Sequence, residues 1–586
     1  MRQWMVAAKK ADFYAIAEKF HVDPVVARII RNREVIGEKN IRIYLGGNLS
    51  DLSDPHQMKD MDRLVEILAQ KIRKQVRIRI IGDYDVDGVT SSHLFLTALR
   101  RVGAKVDVVI PHRIQDGYGL SLHLLQQAKE DGVDTILTCD NGIAAIDEIA
   151  WAKAQKMTVL VTDHHAVPFE EHEGRRTEKK SLADAVVNPH QQDCRYPYKE
   201  LCGAGVAWNV IRVLYENYDM DKREAEDLLD FVAMATVCDV MSLTGENRIL
   251  VKEGLKRIRH TKNIGLQALM QACNVQPENI SAYHFGYVLG PCVNATGRLD
   301  TARHALRLFE TGQETEAEEI ARDLVDLNQE RKELTLQGVE MAKKLCEEGG
   351  YENDPVLVLF LPDVHESIAG LIAGRIREMY NRPVFVLTRG EEGVKGSGRS
   401  TENYSMYENM CGCAELFTKF GGHPMAAGLS LPEENVEKFR RKINENCPLT
   451  VEEVCPDIHI DMAMPVGYAS TELVHQFALL EPFGKDNPSP LFADRNLSIS
   501  RMWVIGKNRN VLRMSVLSEY GQPVPVIFFG DVETLFAYFT EKFGQEEVEN
   551  ALHGRKNRIL FSMVYTAKID FYQGNENLQL EMKYYR

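Results

Sequence analysis

The sequence predicts a multidomain α/β protein with a parallel-sheet domain, a long connecting helix, a smaller α/β domain and a C-terminal β-barrel. Three observations support this prediction. Short apolar strands alternate with helices from about residue 76, the alternation resumes at Pro355, and short strands with turns follow Pro448. Buried strands that alternate with helices are typical of a parallel sheet covered on both faces. A chain of 586 residues is also too long for a single hydrophobic core.

The first α/β segment contains four apolar runs, and a weaker fifth, that we predict to be strands. Helices are expected between them at 91–101, 120–129 and 143–155, and segment 204–260 is predicted to be mostly helical. The expected strands are 76–81, 106–110, 135–138, 158–161 and 185–187.

The connecting helix is predicted at 312–347, because this segment has no proline and its apolar residues recur at helical spacing. At 1.5 Å per residue it would be about 50 Å long and would separate two domains. The second α/β unit is expected to contain a helix at 367–380, a glycine-rich turn at 393–398, a Gly-Gly-His loop, a strand at 427–431 and a helix at 433–445. The strands after Pro448 predict a small β-barrel or sandwich.

The composition leaves the binding partner open. A net charge of −15 argues against a protein that coats nucleic acid through global attraction, but a basic groove can lie on an acidic body. None of the eleven cysteines forms a CxxC pair, so we expect reduced thiols. We see no secretory leader and no apolar run of about 20 residues, and therefore expect a soluble, cytoplasmic protein without membrane contact.

Three aspartates alternate directly after the first predicted strand. In extended backbone Asp83, Asp85 and Asp87 would point to one side, and their mutual repulsion would favour a bound multivalent cation. A calcium-binding EF-hand is excluded, because Leu94 occupies the twelfth position and a strand precedes the loop. A solvated acidic turn remains an alternative for this motif taken alone.

The same arrangement recurs after the third and fourth predicted strands. Asp140 follows one of them and Asp163-His164-His165 follows the other, although a single aspartate such as Asp140 is often only a helix cap. Open α/β sheets bind ligands at the carboxyl ends of their strands, which is where these residues are expected to lie. Asp239 stands in an apolar run, where an unpaired carboxylate would be costly. Carboxylates with imidazole favour Mn²⁺ or Mg²⁺ over zinc, and two ions would suit the hydrolysis of phosphate esters.

The motifs D-x-D-x-D-G, C-D-N-G and D-H-H, followed by a later aspartate, resemble those of the DHH phosphoesterases. The resemblance implies catalytic roles for His165, which would position or protonate the scissile phosphate, and for Asp163, which would orient the histidines. It also implies a role for Asp140 as a bridging ligand between two ions. The implied metal ligands are Asp83 and Asp85 for one ion, Asp87, His164 and Asp239 for the other, and Asp140 for both.

Four further stretches are similar to those of the RecJ exonucleases: 111–120, 290–299, 395–400 with 421–423, and 480–492. For any one arginine, a surface ion pair is the alternative, and 421–423 could be a plain turn. Glu366 departs from the family pattern and would either weaken substrate contact or face solvent. The implied substrate-binding residues are Arg113, Asn294, Arg298, Ser397, Arg399, Ser400, Gly421, Gly422 and His423.

The resemblance implies a 5′ to 3′ exonuclease that hydrolyses single-stranded DNA to 5′-mononucleotides with two Mn²⁺ or Mg²⁺ ions, in DNA repair and recombination. Single-stranded-DNA-binding protein and a helicase are the implied protein partners. Alternatives are a DHH-family oligoribonuclease or nucleotide phosphatase, and a non-catalytic Cdc45-like DNA-binding scaffold. The expected domains are an N-terminal segment (1–50), a DHH catalytic domain (51–311), the connecting helix (312–347), a DHHA1 substrate-binding domain (348–448) and an OB-like nucleic-acid-binding domain (449–586).

Overall fold

The computed structural model describes residues 3–113, 116–172, 175–390, 393–506, 509–572 and 574–586. Residues 114 and 115, part of the 111–120 stretch, lie outside the described residues. The chain forms two compact units, one of residues 48–456 and one that combines residues 3–47 with 457–586. In the described part of the chain, no helix combines the length and the apolar character that crossing a membrane requires.

The first unit begins with a five-stranded parallel sheet. The strand order in space is Lys105–Val109, Arg77–Ile81, Thr135–Cys139, Thr158–Thr162, Ala185–Val187. All five predicted strands are confirmed, with shifts of one residue at some ends. A two-stranded antiparallel hairpin, Phe169–His172 with Arg175–Glu178, projects after the fourth strand in the chain.

Helices cover both faces of this sheet, whose strands Thr135–Cys139 and Thr158–Thr162 are buried almost throughout. One face packs against residues of helices Val86–Arg101 and Gly203–Asn217, and the other packs against helices Leu122–Glu130 and Ile146–Ala154. The other helices of this region are Met61–Arg73, Arg223–Glu226, Leu229–Cys238, Gly245–Ile258, Ile264–Ala272, Ala282–His284, Gly290–Leu299 and Ala302–Glu310, with a π-helical turn at Phe285–Leu289.

The predicted connecting helix is confirmed as a 35-residue helix, Glu314–Glu348. It leads into the second α/β region, a five-stranded mixed sheet with helices Ala369–Tyr380, Met406–Cys411 and Val436–Glu445. The strand order is Lys419–His423, Ala426–Leu431, Gly393–Arg399, Val384–Gly390, Leu357–Phe360.

Two predictions for this second region are wrong. The expected glycine-rich turn at 393–398 is a strand, Gly393–Arg399, and the expected Gly-Gly-His loop belongs to the strand Lys419–His423. Both segments pair antiparallel with Ala426–Leu431. Glycine is unfavourable in strands, but a Cβ at Gly398 would lie 2.4 Å from the Met406 sulfur, so packing between the sheet and its covering helix requires the missing side chain there.

The second unit contains a closed β-barrel of five strands: Phe492–Ile505, Val511–Leu517, Pro523–Phe529, Leu560–Tyr572 and Asn575–Tyr585. The first barrel strand pairs with both the second and the fourth, which closes the ring. The short strands Ile458–Ile460 and Met462–Ala463 precede the barrel. The predicted β-rich domain is confirmed, but its helices Thr471–Phe477, Val532–Phe543 and Gln545–Leu552 were not predicted.

The N-terminal segment packs within this second unit. It forms a strand, Trp4–Val6, that pairs in parallel with Ile458–Ile460. Its helices Phe13–Phe20, Pro24–Asn32 and Glu38–Gly46 contribute buried side chains to the same hydrophobic cluster as the barrel.

Candidate metal centre and substrate cleft

Acidic and imidazole side chains collect at the carboxyl edge of the parallel sheet. Asp83 lies two residues after one strand, Asp140 directly follows the neighbouring strand, and Asp163-His164-His165 follows the next. Asp239 reaches the same place from the C-terminal end of helix Leu229–Cys238. Parallel strands therefore bring together groups that are far apart in the chain.

Potential ligand atoms form three groups in which all atoms lie within 4.8 Å of one another. Asp140 occurs in two of these groups and His164 in two, so the groups are contiguous. The Nε2 atom of His164 lies 3.1 Å from Oδ1 of Asp140 and 3.6 Å from Oδ2 of Asp239. The groups are Asp83 with Asp85 and Asp140, Asp87 with His164 and Asp239, and Asp140 with His164 and His165.

The three alternating aspartates converge on one site as expected, but the expected extended backbone does not continue to Asp87. The strand ends at Ile81, Asp85 caps the following helix, and Asp87 already lies in its first turn. The side chains of Asp83 and Asp85 consequently face Asp140, whereas that of Asp87 faces His164 and Asp239. The turn of the backbone at Asp85 thus divides one motif between two ligand groups.

Several atoms at this site are buried without a hydrogen-bond partner among the described residues: Oδ1 of Asp83, Oδ1 of Asp140 and Nε2 of His164. Burial and the charge of Asp85 raise the pKa of Asp83 well above its usual value, and burial and the charge of Asp87 do the same to Asp140. Burial lowers the pKa of His164, which keeps the imidazole neutral and its nitrogen free to act as a ligand. Unsatisfied buried carboxylates of this kind fit bound cations.

Hydrogen bonds from backbone nitrogens hold the carboxylates of Asp85 and Asp87 in place. Asp87 accepts hydrogen bonds from the backbone nitrogens of Gly203 (2.6 Å) and Ala204 (2.8 Å), at the start of a helix. Asp85 accepts one from the nitrogen of Gly88 (3.0 Å). A Cβ at Gly88 would lie 2.5 Å from backbone atoms of Asp83, and one at Gly203 would lie 2.6 Å from Cβ of Asp140. Both glycines therefore permit the close approach on which the site depends.

Asp163 is buried and orients the two histidines. Its Oδ1 accepts hydrogen bonds from the backbone nitrogens of His164 (2.7 Å) and His165 (3.0 Å) and from Nδ1 of His165 (2.8 Å). Its Oδ2 accepts one from the backbone nitrogen of Ile143 (2.8 Å). Burial opposes the charge on His165, but the hydrogen bond to Asp163 outweighs it and raises the pKa of His165 to about 9. The hydrogen bond to Asp163 therefore favours the protonated form of His165.

Tyr118 is a site residue that the sequence analysis missed. Its hydroxyl donates to the backbone carbonyl of Asp140 (3.0 Å) and lies 3.1 Å from Nε2 of His165, from which it can accept. Tyr118 lies in the 111–120 stretch that resembles the family, and its position in the segment Asp116-Gly117-Tyr118-Gly119 could have indicated a role at the site. Asn188, also missed, donates from Nδ2 to the backbone carbonyl of His165 (2.9 Å).

A cleft of about 440 Å³ adjoins the metal-ligand groups in the same unit. Tyr84, between Asp83 and Asp85, lies on one side of it, and the second sheet lies on the other. The guanidinium of Arg113 stacks over the Tyr84 ring, 4.8 Å from its centroid. The lining side chains are Tyr84, Arg113, Glu366, Ser367, Thr388, Lys395, Ser397, Lys419, Phe420, Leu429 and Ser430, with the backbone of Ala369, Gly396, Gly421 and Gly428.

Two further arginines stand against this cleft. Arg298 donates to the backbone carbonyl of Ser367 (2.6 Å), and Arg399 donates to the hydroxyl of Ser397 (3.3 Å). Burial and repulsion from Arg113, Arg331 and Arg399 lower the pKa of Arg298 to about 10. Within the described ranges, Arg113, Arg298 and Arg399 have no carboxylate partner within 4.0 Å. Three cations without counter-charges mark a place for an anion.

The remaining predicted substrate residues lie in different environments. Oδ1 of Asn294 accepts a hydrogen bond from the backbone nitrogen of Val86 (3.2 Å), so this residue supports the aspartate loop. The Ser400 hydroxyl is buried and donates to the carbonyl of Tyr404 (2.5 Å). Gly421 lines the cleft, whereas Gly422 and His423 continue its strand beyond the lining. Glu366 lines the cleft, where its side chain is partly exposed.

Three family models match the chain. Residues 77–236 match the DHH family N-terminal domain, residues 353–447 match the DHHA1 domain, and residues 460–584 match the RecJ OB domain. Together they cover both α/β regions and the barrel.

Similar proteins include the single-stranded-DNA-specific exonucleases RecJ of Haemophilus influenzae and Escherichia coli. Each is 32% identical to this chain over 582 residues; the alignment covers 96% of both chains for the first protein and 95% of both for the second. The RecJ of Bacillus subtilis is 33% identical over 512 residues, and the alignment spans 87% of this chain but only 63% of that protein.

Solved structures give a consistent result. RecJ from Thermus thermophilus in complex with Mn²⁺ superposes with a TM-score of 0.81 at 25% identity, covering 100% of this chain and 79% of that one. An exonuclease RecJ bound to manganese superposes with a TM-score of 0.56 at 32% identity, covering 66% of this chain and 94% of that one.

Proposed function

Because the chain belongs to the RecJ family of single-stranded-DNA-specific exonucleases, we propose that it hydrolyses single-stranded DNA from the 5′ end to 5′-mononucleotides. One observation supports this proposal above the others. Contiguous groups of potential metal ligands lie beside a cleft that Arg113 lines and that Arg298 and Arg399 contact through Ser367 and Ser397, and among the described residues none of these arginines has a carboxylate partner. A phosphodiester hydrolase needs both features, one to attack the phosphorus and one to hold the polyanion.

The residues present fit two divalent ions. Asp83 and Asp85 would hold one ion, Asp87, His164 and Asp239 would hold the other, and Asp140 would contact both. Oxygen-rich groups with one imidazole suit Mn²⁺ or Mg²⁺, and the three unsatisfied buried atoms gain partners on binding. When bound, such ions activate a water molecule and stabilise the charge that develops on the phosphate oxygens.

His165 is the proposed catalytic cation of the chain. It is held by Asp163 on one ring nitrogen, and its other nitrogen faces the Tyr118 hydroxyl at the edge of the site. A protonated imidazole in this position stabilises negative charge on a non-bridging oxygen or protonates the leaving 3′ oxygen. Asp163 keeps that imidazole charged and oriented, and Tyr118 links it to the backbone of Asp140.

The arginine-lined cleft is the proposed site of the 5′ end. Arg113, Arg298 and Arg399 bind the terminal phosphate, aided by the Ser397 hydroxyl and the backbone at Gly421. An end held there would place the first phosphodiester at the metal ligands, which gives 5′ to 3′ polarity. Asn294 supports the aspartate loop, and Ser400, Gly422 and His423 shape the strands that carry Ser397 and Gly421.

We further propose that each domain has its own function: residues 51–311 carry out catalysis, residues 348–448 bind the substrate, and residues 449–586 contact nucleic acid. The cellular role proposed is DNA repair and recombination, with single-stranded-DNA-binding protein and a helicase as partners. All eleven cysteines are free, which supports a reducing, cytoplasmic location.

The test is an end-release assay. Purified protein is incubated with Mn²⁺ and a long single strand that is labelled at its 5′ or its 3′ end, beside an Asp140→Ala variant. An Asp147→Ala variant, which removes an exposed aspartate from the adjacent helix, serves as the matched control. We expect immediate release of 5′-labelled mononucleotide by the native chain and by the control, and none by Asp140→Ala or on blunt duplex.

Other outcomes have distinct meanings. Release from dinucleotides or tetranucleotides only would indicate an oligoribonuclease. Strand binding without turnover in any divalent ion would indicate a non-catalytic scaffold and would contradict the proposed activity.

A further inference from the structure

Glu366 lies in a short 3₁₀ turn, Glu366–Ile368, that leads into helix Ala369–Tyr380. Its carboxylate contributes to the lining of the cleft, and among the described lining residues it is the only acidic side chain. The side chain is 22% exposed, and its Oε2 lies 2.8 Å from Nζ of Lys395. A carboxylate therefore lies in a cleft whose other described charged side chains are the cations Arg113, Lys395 and Lys419.

The strand Gly393–Arg399 explains why this ion pair lies next to the anion site. Side chains of alternate residues point to the same face of a strand, so Lys395, Ser397 and Arg399 form one row. Arg399 and Ser397 are hydrogen-bonded to each other at one end of the row. Lys395, at the other end, is the residue that Glu366 neutralises.

A second lysine, Lys419, lies level with Lys395 in the same cleft lining. Across the sheet, Lys395 pairs with Ser430, and Ser430 in turn pairs with Lys419. Lys419 is therefore two strands away from Lys395, about 10 Å at the usual spacing between strands, and Glu366 pairs only with Lys395 of the two. The cleft consequently has an arginine zone without counter-charges and a lysine zone in which Glu366 cancels one positive charge.

We propose that Glu366 is a specificity-determining residue that limits the preference of the cleft for a doubly charged 5′-phosphate end over an uncharged 5′-hydroxyl end. This inference rests on the proposed function, since it assigns a substrate end to the same cleft. The carboxylate repels the second negative charge of a terminal phosphate and occupies the lysine that would otherwise bind it. The enzyme accordingly accepts 5′-hydroxyl ends that a wholly basic cleft would discriminate against.

The experiment compares kcat/KM for long single strands that differ only in a 5′-phosphate or a 5′-hydroxyl. Four proteins are used: the native chain, Glu366→Gln, Lys395→Gln and the double variant. A single charge within several ångströms of the phosphate changes the phosphate-to-hydroxyl ratio by about tenfold at low salt. We expect the ratio to rise about tenfold in Glu366→Gln and to fall about tenfold in Lys395→Gln.

The double variant is the decisive control, because it removes both charges and restores the net charge of the native cleft. Its phosphate-to-hydroxyl ratio of kcat/KM is expected to return to within about threefold of the native value. If the ion pair between Glu366 and Lys395 only supported the fold, the ratio would stay lowered in the double variant. Glu433→Gln, which removes an exposed carboxylate paired with Arg389 outside the cleft, should leave the ratio unchanged.

An unchanged ratio in Glu366→Gln would overturn the proposal. If the native chain hydrolyses neither strand, the proposed function fails separately, and the four proteins are then compared by equilibrium binding of the same two strands. The affinity ratios must follow the same order for the inference about Glu366 to stand.

Discussion

At the level of single residues, Asp163 is buried and makes four hydrogen bonds, three through Oδ1 and one through Oδ2. Although burial alone would raise its pKa, the hydrogen bond and charge of His165 lower it, so the group stays ionised. The pair Asp163–His165 is thus a buried carboxylate that sustains a cation at the edge of the site. Asp163 and His165 can therefore affect catalysis without binding a metal ion.

We predict that Asp163→Asn lowers kcat by about 10–100-fold, the usual cost of losing a group that orients a site residue. The neutral amide also stops raising the pKa of His165. Because His165 acts as a cation, activity is present below its pKa and lost above it. The alkaline limb of the kcat–pH profile should therefore move to lower pH in the variant. A lower kcat with an unshifted alkaline limb would contradict this role for Asp163.

At the level of secondary-structure elements, the start of helix Val86–Arg101 positions the aspartate loop. Gly88 lies in the first turn of this helix, where a Cβ would meet the backbone of Asp83 at 2.5 Å. The contact is with main chain, which cannot rotate away as a flexible side chain could. Helix Gly290–Leu299 supports the loop from another direction through Asn294, and a Cβ on its Gly297 would lie 2.3 Å from the Tyr84 carbonyl oxygen.

We predict that Gly88→Ala weakens Mn²⁺ binding by about tenfold or more while the fold is retained, because the helix must shift away from Asp83. Titration calorimetry measures the affinity, and far-ultraviolet circular dichroism checks the fold. Gly374→Ala is the matched control, since this helical glycine has nothing within 4 Å of its Cβ position. Unchanged Mn²⁺ affinity in Gly88→Ala would show that the loop tolerates the shift.

At the level of the entire chain, the two ends of the sequence belong to one compact unit. The strand Trp4–Val6 and the three helices that follow it pack with residues 457–586. A buried ion pair fastens them, because Arg33 donates to both carboxylate oxygens of Asp461 at 2.7 and 3.1 Å. The side chains are only 9% and 6% exposed, and Asp461 also accepts hydrogen bonds from Asn32 and from the backbone nitrogen of Leu491.

We predict that Arg33→Ala destabilises this unit by about 3–5 kcal/mol, because the buried Asp461 carboxylate loses its partner. Hydrogen exchange should accelerate in the barrel strand Leu560–Tyr572 but not in the parallel sheet of the first unit, which provides an internal reference. Arg31→Ala, which removes an exposed pair with Glu34, should change stability by less than about 1 kcal/mol. Equal effects of the two variants would mean that Arg33 and Asp461 are not coupled.

Much of the fold followed from local patterns. The sequence predicted the five strands of the first sheet, the long helix and the β-rich C-terminal region. These elements could be predicted because the spacing of apolar residues and the positions of turn residues are visible within short segments. The predictions failed at Gly393–Arg399 and Lys419–His423 because glycine normally disfavours strands. Pairing with Ala426–Leu431 overrides that local preference, and the pairing partner is not visible in the segment itself.

The order of residues along the chain was sufficient to predict the carboxylates and imidazoles of the site and the edge of the sheet on which they lie, because most of them follow predicted strands, but it did not predict Tyr118 or Asn188. The folded chain was needed to show that the start of a helix at Asp85 separates Asp87 from Asp83, and that a hydrogen bond from His165 to Asp163 raises the pKa of His165. It was also needed to place Glu366 against Lys395 in the cleft. Electrostatic and hydrogen-bond partners act through space, so residues such as Arg33 and Asp461, which are 428 positions apart, meet only when the chain has folded.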